Sequence, residues 1–295
     1  MLWSGHSIAP AVIGVGGGLL ALCAAFRTRR AHCAPLSPDD RESEKSSAVS
    51  KISIVIPWKF ESEKTLSENV RSLRAKNNDG GGAVDIEIVV ASSKPLPSTL
   101  KMDGGVVVWA PLHPTDSRSG ALNKGYLAST GDVVAFLHAD TKLPTGYATM
   151  MTKTVERVAP VGCFKLRFDH PSYLFRVVEF FANSVRRIPY GDQCYFVKRS
   201  FHERVGMFSD LKMMEDVDYI VSKCKRHEWT VVDGSDVYAL TSPSRYLNED
   251  GTASLFSVLR NVVKNNIIVA AVAAKIVTPD QCAEWYYKGT SRKNK

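Results

Sequence analysis

Residues 133–137, VVAFL, contain no polar side chain, and the run stops at His138-Ala139-Asp140. A segment this short and this apolar reads as a strand buried on both faces, which requires a largely parallel sheet with helices covering each side. In such sheets ligands bind beyond the carboxyl ends of the strands. Asp140, just past a buried strand, is therefore the first candidate for chemistry. A lone aspartate there can also be a simple turn cap, so the assignment depends on what else converges on it.

The flanking pattern supplies the rest of that sheet. A β-branched run over 52–56 stops at Pro57, which cannot continue a central strand. A helix is predicted over 62–76 with Leu66, Val70 and Leu73 on one face, followed by strands over 84–91 and 106–110. A helix beginning at Arg118 then leads through the Gly131-Asp132 turn into VVAFL. This alternation is that of a doubly wound, mainly parallel sheet of the nucleotide-binding type.

The second half changes character. A strand is predicted over 162–168, then a helix over 173–187 whose stripe is Leu174, Val177, Val178, Phe181, Ala182 and Val185. Phe175 and Phe180 fall off that stripe and read first as additional core, with an exposed acceptor or membrane patch as the alternative. A strand over 194–197 follows Gly191-Asp192-Gln193, and Met213 to Asp218, MMEDVD, opens a helix with Val217, Ile220, Val221 and Cys224 on its apolar side. Glu215, Asp216 and Asp218 sit in or just before its first turn, more acids than a helix dipole calls for. Short strands over 230–232 and 237–240, a polar loop reaching Arg245, a long helix over 254–277 and a last helix from Thr278 complete the chain.

Charge and cysteine usage narrow the function. The formal net charge is +8, but Arg27, Arg29, Arg30, Arg292, Lys293 and Lys295 lie near the two ends, so the excess on the body is small. No basic stretch with interleaved aromatics suggests a nucleic-acid groove. The six cysteines are scattered without a CxxC pair, as buried free thiols would be. Residues 8–26 carry no charge and approach the ~20 residues needed to span a bilayer. Arginines follow this run and none precedes it. The first reading is therefore a single-pass anchor with the body in the cytoplasm; the alternative is a cleaved secretory or organelle-targeting leader. The expected organisation is an apolar segment 1–30, a solvated linker 31–50, one domain 51–288 and a basic disordered tail 289–295.

IPWK after the first strand, Arg118 and Asn123 before GDVVAFLHADTKLP, then GCFKLRF, PYGDQCYFV, MEDVDY and TSPSRY occur in that order. The string resembles the family 2 glycosyltransferases of GT-A fold, closest to the radical-SAM/selenodomain-associated group, over nearly the whole of 51–288. The resemblance implies a metal-dependent inverting transfer of a sugar from a nucleotide-diphosphate donor to an unknown hydroxylated acceptor. It makes Asp140 the ligand of Mn²⁺ or Mg²⁺ and Asp216, in the ED pair, the base that takes the acceptor proton. Pro57, Arg118, Asn123, His138, Gly191, Asp192, Gln193, Glu215 and Arg245 become donor- or acceptor-binding residues, with Arg118 and Asn123 facing the donor. Two places depart from the pattern. The aspartate usual after the second strand is replaced by Ala91-Ser92-Ser93, and the usual Asn-Glu after the first strand by Trp58-Lys59-Phe60-Glu61, where Trp58 or Phe60 is either a base-stacking or a packing aromatic. The alternatives are a binding protein of this fold that has lost catalysis, and a nucleotidyltransferase.

Overall fold

The computed structural model describes residues 48–77, 84–102, 107–185, 189–248, 250–273 and 276–287. The expected anchor at 8–26, most of the linker and the basic tail lie outside the described residues. The chain runs β1 (Lys51–Pro57), α1 (Glu63–Asn77), β2 (Asp85–Ser92), α2 (Ser98–Met102), β3 (Val107–Pro111), α3 (Arg118–Leu127), β4 (Val133–Phe136) and α4 (Tyr147–Arg157). It continues through β5 (Val161–Cys163), β6 (Lys165–Phe168), α5 (Tyr173–Phe180), β7 (Tyr195–Lys198), α6 (Arg199–Val205) and α7 (Glu215–Asp218). The last elements are β8 (Trp229–Val231), β9 (Tyr238–Thr241), α8 (Leu255–Ala273) and α9 (Pro279–Tyr287).

Seven of these strands form one sheet in the order β3-β2-β1-β4-β7-β5-β8, and β6 pairs with β9 in a small second sheet. β1, β2, β3 and β4 are mutually parallel, with Ile54 opposite Ile88 on one side and Ala135 on the other. β7 is antiparallel to both β4 and β5. The sheet is buried on both faces, as the apolar runs require. Ile52, Ile54, Ile56, Val133, Ala135 and Leu137 pack against α1 and α4, while Val55, Val134 and Phe136 pack against Ala121, Leu122 and Tyr126 of α3 and Phe201 of α6.

The turn into β4 is fastened to the neighbouring strands. Ser53 Oγ donates to Glu87 Oε2 (2.5 Å), Thr130 donates to Glu87 through its N–H (2.7 Å) and hydroxyl (2.8 Å), and Gly131 N–H donates to Ser53 Oγ (2.7 Å). A Cβ on Gly131 would lie 2.6 Å from the backbone nitrogen of Ser53, so the close approach of this turn to β1 requires glycine. Burial pushes the Glu87 carboxyl up, but the hydrogen bonds from Ser53 and Thr130, with Lys51, outweigh it and hold the pKa at about 2. Because the folded value is the lower one, the stabilisation is complete above the ordinary glutamate range and is lost as pH falls from about 4.5 toward about 2. We expect Glu87→Gln to cost ~1–3 kcal/mol at pH 7, and denaturant titrations from pH 6 to pH 3 to show a shallower loss of stability in the variant than in the wild type. Parallel slopes would exclude this network as an acid-labile element.

Four predicted elements differ from the structure. The segment expected as one strand over 162–168 breaks at Phe164, whose N–H donates to Gln193 O (2.9 Å), and the chain passes from the large sheet to the small one. The helix expected over 173–187 is α-helical only to Phe180 and continues as a π-turn, Phe181–Val185. It buries Phe175, Glu179 and, from the predicted stripe, Ala182, with Leu174 and Val178 half-buried, while Val177 and Phe181 of the stripe and Phe180 are exposed. The cause is polar: Glu179 Oε1 accepts from Phe168 N–H (2.7 Å) at the end of β6 and pairs with Arg176, which fixes the rotation of the helix. The MMEDVD helix is a single α-turn followed by a π-turn, Tyr219–Lys223, so Tyr219 and Ile220 are buried while Val221 is exposed. The long helix over 254–277 ends at Ala273. Among the described residues no helix is long and apolar enough to cross a membrane.

Candidate functional site

The site forms where the sheet changes direction. β7 runs antiparallel to β4, with Phe136 opposite Tyr195, so the turn entering β7 meets the carboxyl end of β4. His138 and Asp140 follow β4, and Gly191–Gln193 is a short 3-10 turn just before β7. A third contributor, α7, is delivered by a segment tied to α3. Ser117 caps α3 by accepting from Gly120 N–H (3.0 Å), and its hydroxyl donates to Asp210 Oδ1 (2.9 Å). Ser119 Oγ exchanges hydrogen bonds with the backbone of Leu211, and Ser209 Oγ donates to Asp218 Oδ2 (2.7 Å).

These supports place Arg118 beside the ED pair. Arg118 Nε lies 2.6 Å from Glu215 Oε1, and Arg118 Nη2 donates to His138 Nε2. An arginine can only donate, so His138 accepts through Nε2 and carries its proton on Nδ1. Burial and the positive charges of Arg118 and Arg245 push the His138 pKa well below the ordinary histidine value, which agrees with a neutral ring. Glu215 is 2% exposed. Burial raises its carboxyl pKa, Arg118 opposes the rise and Asp216 adds to it.

Asp216 is held by the backbone. Its Oδ2 accepts the Gly191 N–H at 2.5 Å and its Oδ1 accepts the Val217 N–H at 2.7 Å. A Cβ on Gly191 would sit 3.1 Å from Asp216 Oδ2, 3.2 Å from Arg118 Nη2 and 3.2 Å from His138 Nε2. A side chain at this position would therefore press on Asp216, Arg118 and His138, each of which would have to give by a few tenths of an ångström. The two non-glycine residues with a left-handed backbone among those described, Cys194 (φ 54°) and Met214 (φ 61°), lie directly after the Gly191 turn and directly before Glu215. Backbone strain thus flanks both halves of this contact.

A second group of charges surrounds Asp140. Burial raises its carboxyl pKa, Glu61 raises it further, Arg245 from the turn Ser244–Tyr246 opposes, and Asp192 adds to the rise. The carboxylate of Asp140 suits a hard divalent cation, and the repulsion it feels from Glu61 and Asp192, which Arg245 only partly offsets, is one that a cation would relieve. Among the described residues no cluster of three or more His, Cys, Asp or Glu could hold a metal by itself. A fitting ion would therefore be completed by phosphate oxygens and water.

Not every residue expected in the site points into it. Asn123 was expected to face the donor. Instead its amide donates to Phe208 O (2.9 Å) and accepts from Phe208 N–H (3.0 Å), fastening the segment that leads to α7. Gln193 is buried, donates to Phe164 O (2.9 Å) and accepts from Tyr190 N–H (3.1 Å), so it braces the turn from within. Arg118 is held by Glu215 and His138 and orders the ED pair. Pro57 ends β1 opposite Ala91. Trp58 is buried in the core with Nε1 donating to Glu61 O (2.8 Å), so it packs rather than stacking on a base, while Phe60 is exposed. At the departure after β2, Ser92 is buried and its hydroxyl accepts from Lys94 N–H (3.0 Å). Glu61, a carboxylate in the loop beyond the carboxyl end of β1, acts on Asp140 electrostatically and was not singled out by sequence reasoning.

Solved structures share this architecture. The mannosyltransferase PcManGT from Pyrobaculum calidifontis, in complex with GDP-Man and Mn²⁺, aligns at TM-score 0.53 with 15% identity over 95% of this chain and 90% of its own. S. aureus TarS aligns at TM-score 0.50 with 14% identity over 75% of this chain and 40% of its own. At such identities the likeness concerns the fold. No curated protein matches by sequence. The family model described as glycosyl transferase family 2 matches residues 53–200, half of the chain, from β1 to the start of α6. Arg118, His138, Asp140 and the Gly191 turn all fall within that match, and the chain belongs to glycosyl transferase family 2.

Proposed function

We propose that the protein is a metal-dependent inverting glycosyltransferase that moves a sugar from a nucleotide-diphosphate donor to a hydroxylated acceptor, with Asp216 as the base. The observation that carries this reading is the bond from Gly191 N–H to Asp216 Oδ2 at 2.5 Å. It joins a carboxylate that lies outside the family match to a turn that lies inside it, at the edge where Asp140 emerges. Asp216, Glu215, His138 and Arg118 share a small cavity whose apolar wall is Leu122, Phe136, Tyr195 and Phe208.

In this mechanism the acceptor hydroxyl approaches the Asp216 carboxylate, which takes its proton as the acceptor oxygen bonds to C1 of the sugar. The bond between C1 and the diphosphate oxygen breaks on the opposite face, so the anomeric configuration inverts. The Gly191 and Val217 N–H groups fix the position of Asp216, and Glu215 beside it is held by Arg118. Neutral His138 offers its Nδ1–H as a donor without adding positive charge near the base. Asp140, with Glu61 and Asp192 nearby, would hold a Mn²⁺ or Mg²⁺ ion, whose contribution is to neutralise charge on the departing diphosphate. The fold likeness to a mannosyltransferase bound to GDP-Man and Mn²⁺ supports the donor class. The finer placement in the radical-SAM/selenodomain-associated group rests on the motif string. The anchor at 8–26, with the catalytic domain in the cytoplasm, belongs to the same proposal.

Thermal unfolding of the full chain against GDP, UDP and their sugars, with and without Mn²⁺, tests it. A ligand at 100 times its dissociation constant stabilises by ~2.7 kcal/mol. The expected result is a shift that needs both the ion and one nucleotide, followed by release of that nucleoside diphosphate when an acceptor is supplied. Binding without any release would favour an inactive binding protein, and no shift with any nucleotide would end the proposal.

A further inference from the structure

Asn69 interrupts the apolar stripe of α1. With Leu66, Val70 and Leu73 it occupies the i, i+3, i+4, i+7 face that α1 buries, and it is 2% exposed there. A primary amide in such a place must find buried partners or weaken the fold. The Asn69 Nδ2 group finds three, all on the turn that leaves β4. It donates to Thr141 O (2.9 Å), Ala139 O (3.1 Å) and, more weakly, His138 O (3.4 Å). Two protons thus serve three carbonyls. Asn69 Oδ1 is buried and accepts no hydrogen bond among the described residues. The carbonyls therefore set the orientation of the amide, because the reverse orientation would bring an oxygen against three others. A buried acceptor without a donor lowers stability, so what Asn69 contributes is what its N–H groups hold.

They hold the turn that carries the site. The Ala139 and Thr141 carbonyls lie on either side of Asp140, and His138 is the residue that accepts from Arg118. Other bonds fasten the ends of this turn. Leu137 N–H donates to Val55 O (2.9 Å) before it, and Lys142 exchanges backbone bonds with Leu240 (2.8 and 2.9 Å) after it, while Thr141 Oγ1 donates to Thr241 Oγ1 (2.9 Å). Between those ends the Asn69 side chain reaches the residues on which binding depends. The same face of α1 continues along the chain toward α4, where Lys76 Nζ donates to Leu143 O (2.8 Å) and Leu73 O accepts from the Tyr147 hydroxyl (3.1 Å). α1 is thus the bed on which the whole segment from β4 to α4 lies. Groups that orient a metal ligand weigh heavily on its affinity, and losing one typically costs about 10–100-fold.

We propose that Asn69 is a positioning residue for Asp140, its amide fixing the turn 138–141 in the shape that receives a divalent ion; the inference rests on the function proposed above for Asp140. The test uses the full chain and two readouts that need no turnover. Asn69→Leu keeps the volume and suits the helix stripe but removes the donors, and Asn69→Ala replaces it should the leucine variant not fold. In the ligand-free chain, hydrogen exchange at the Thr141 and Lys142 amides should speed up by about tenfold or more relative to the Thr130 and Gly131 amides at the other end of β4. Mn²⁺ binding in the presence of GDP or UDP, followed by the electron-spin signal of the free ion, should weaken by about 10–100-fold. Glu87→Gln is the control, because it loosens the Thr130 end of β4 and should leave Mn²⁺ affinity unchanged. Unaltered exchange at Thr141 would overturn the proposal, since the turn would not depend on Asn69. A loosened turn with undiminished Mn²⁺ affinity would overturn it too, leaving Asn69 a structural role alone, as would an equal loss of affinity in Glu87→Gln. A wild-type chain that binds no Mn²⁺ with either nucleotide would end the role proposed for Asp140, and this assignment with it, before any variant is made.

Discussion

Asp216→Asn is expected to lower sugar transfer by two to four orders of magnitude, the range that a positioned general base contributes, while binding the donor as the wild type does. Asparagine has the same shape, and its carbonyl oxygen can still accept the Gly191 N–H, but its NH₂ then faces the Val217 N–H that Oδ1 had accepted at 2.7 Å, so the loss of that bond should cost ~1–3 kcal/mol. The comparison with Glu215→Gln separates base from support. Glu215 is buried beside Arg118 at 2.6 Å, and burial raises its carboxyl pKa against that partner's pull, so the amide removes a charge that folding disfavours together with the ion pair. Glu215→Gln, which leaves the Asp216 carboxylate in place, should keep most of the transfer rate, whereas Asp216→Asn should lose it. Full turnover in Asp216→Asn would remove it from the chemistry.

Asp140→Asn is expected to move stability and ligand binding in opposite directions. In the free protein, burial together with the Glu61 and Asp192 carboxylates disfavours the charge on Asp140. A carboxyl whose pKa is raised by folding destabilises the fold at neutral pH, so the amide should leave the unliganded protein at least as stable as the wild type. The response to Mn²⁺ with the donor should collapse. A hundredfold loss of affinity would cut ligand-induced stabilisation from ~2.7 to ~0.4 kcal/mol at the same ligand concentration. A carboxylate that weakens the free protein and strengthens the complex is being kept for its ligand. An undiminished metal-dependent shift in Asp140→Asn would assign the ion elsewhere.

The parts legible in the sequence were those fixed by local pattern. β1, β2 and β4 are runs buried on both faces, and nothing else accounts for VVAFL followed by a polar edge. Asp140, Gly191 and Asp216 were singled out because their motifs carry their own context, and the structure brings Gly191 and Asp216 into contact. The role of Asn123 was not legible, because its partners, the N–H and C=O of Phe208, are backbone groups that any residue presents. Gln193 was misread for the same reason. α4 follows Gly146 in a left-handed conformation (φ 71°) and mixes threonine and lysine among its buried Tyr147, Met151 and Val155, which blurs the helical stripe. α6, seven residues long, is too short to show a period. The two π-turns depend on tertiary contacts, Glu179 with the end of β6 and Tyr219 with buried His202 (2.7 Å), and local spacing carries no trace of them.

The antiparallel insertion of β7 gives the active edge two separable origins. One half comes from β1, β4 and α3 and the other from the segment around Phe208 to Asp218, and they are joined by the Arg118, Ser119 and Asn123 side chains and by the Gly191 N–H. A seam stitched from one helix and one glycine can accept a new downstream segment without rebuilding the upstream sheet. Under the proposed function, acceptor preference would then change by exchanging residues 206–218 while the sheet that is proposed to bind the donor stays constant, and chimeras cut at that boundary should fold.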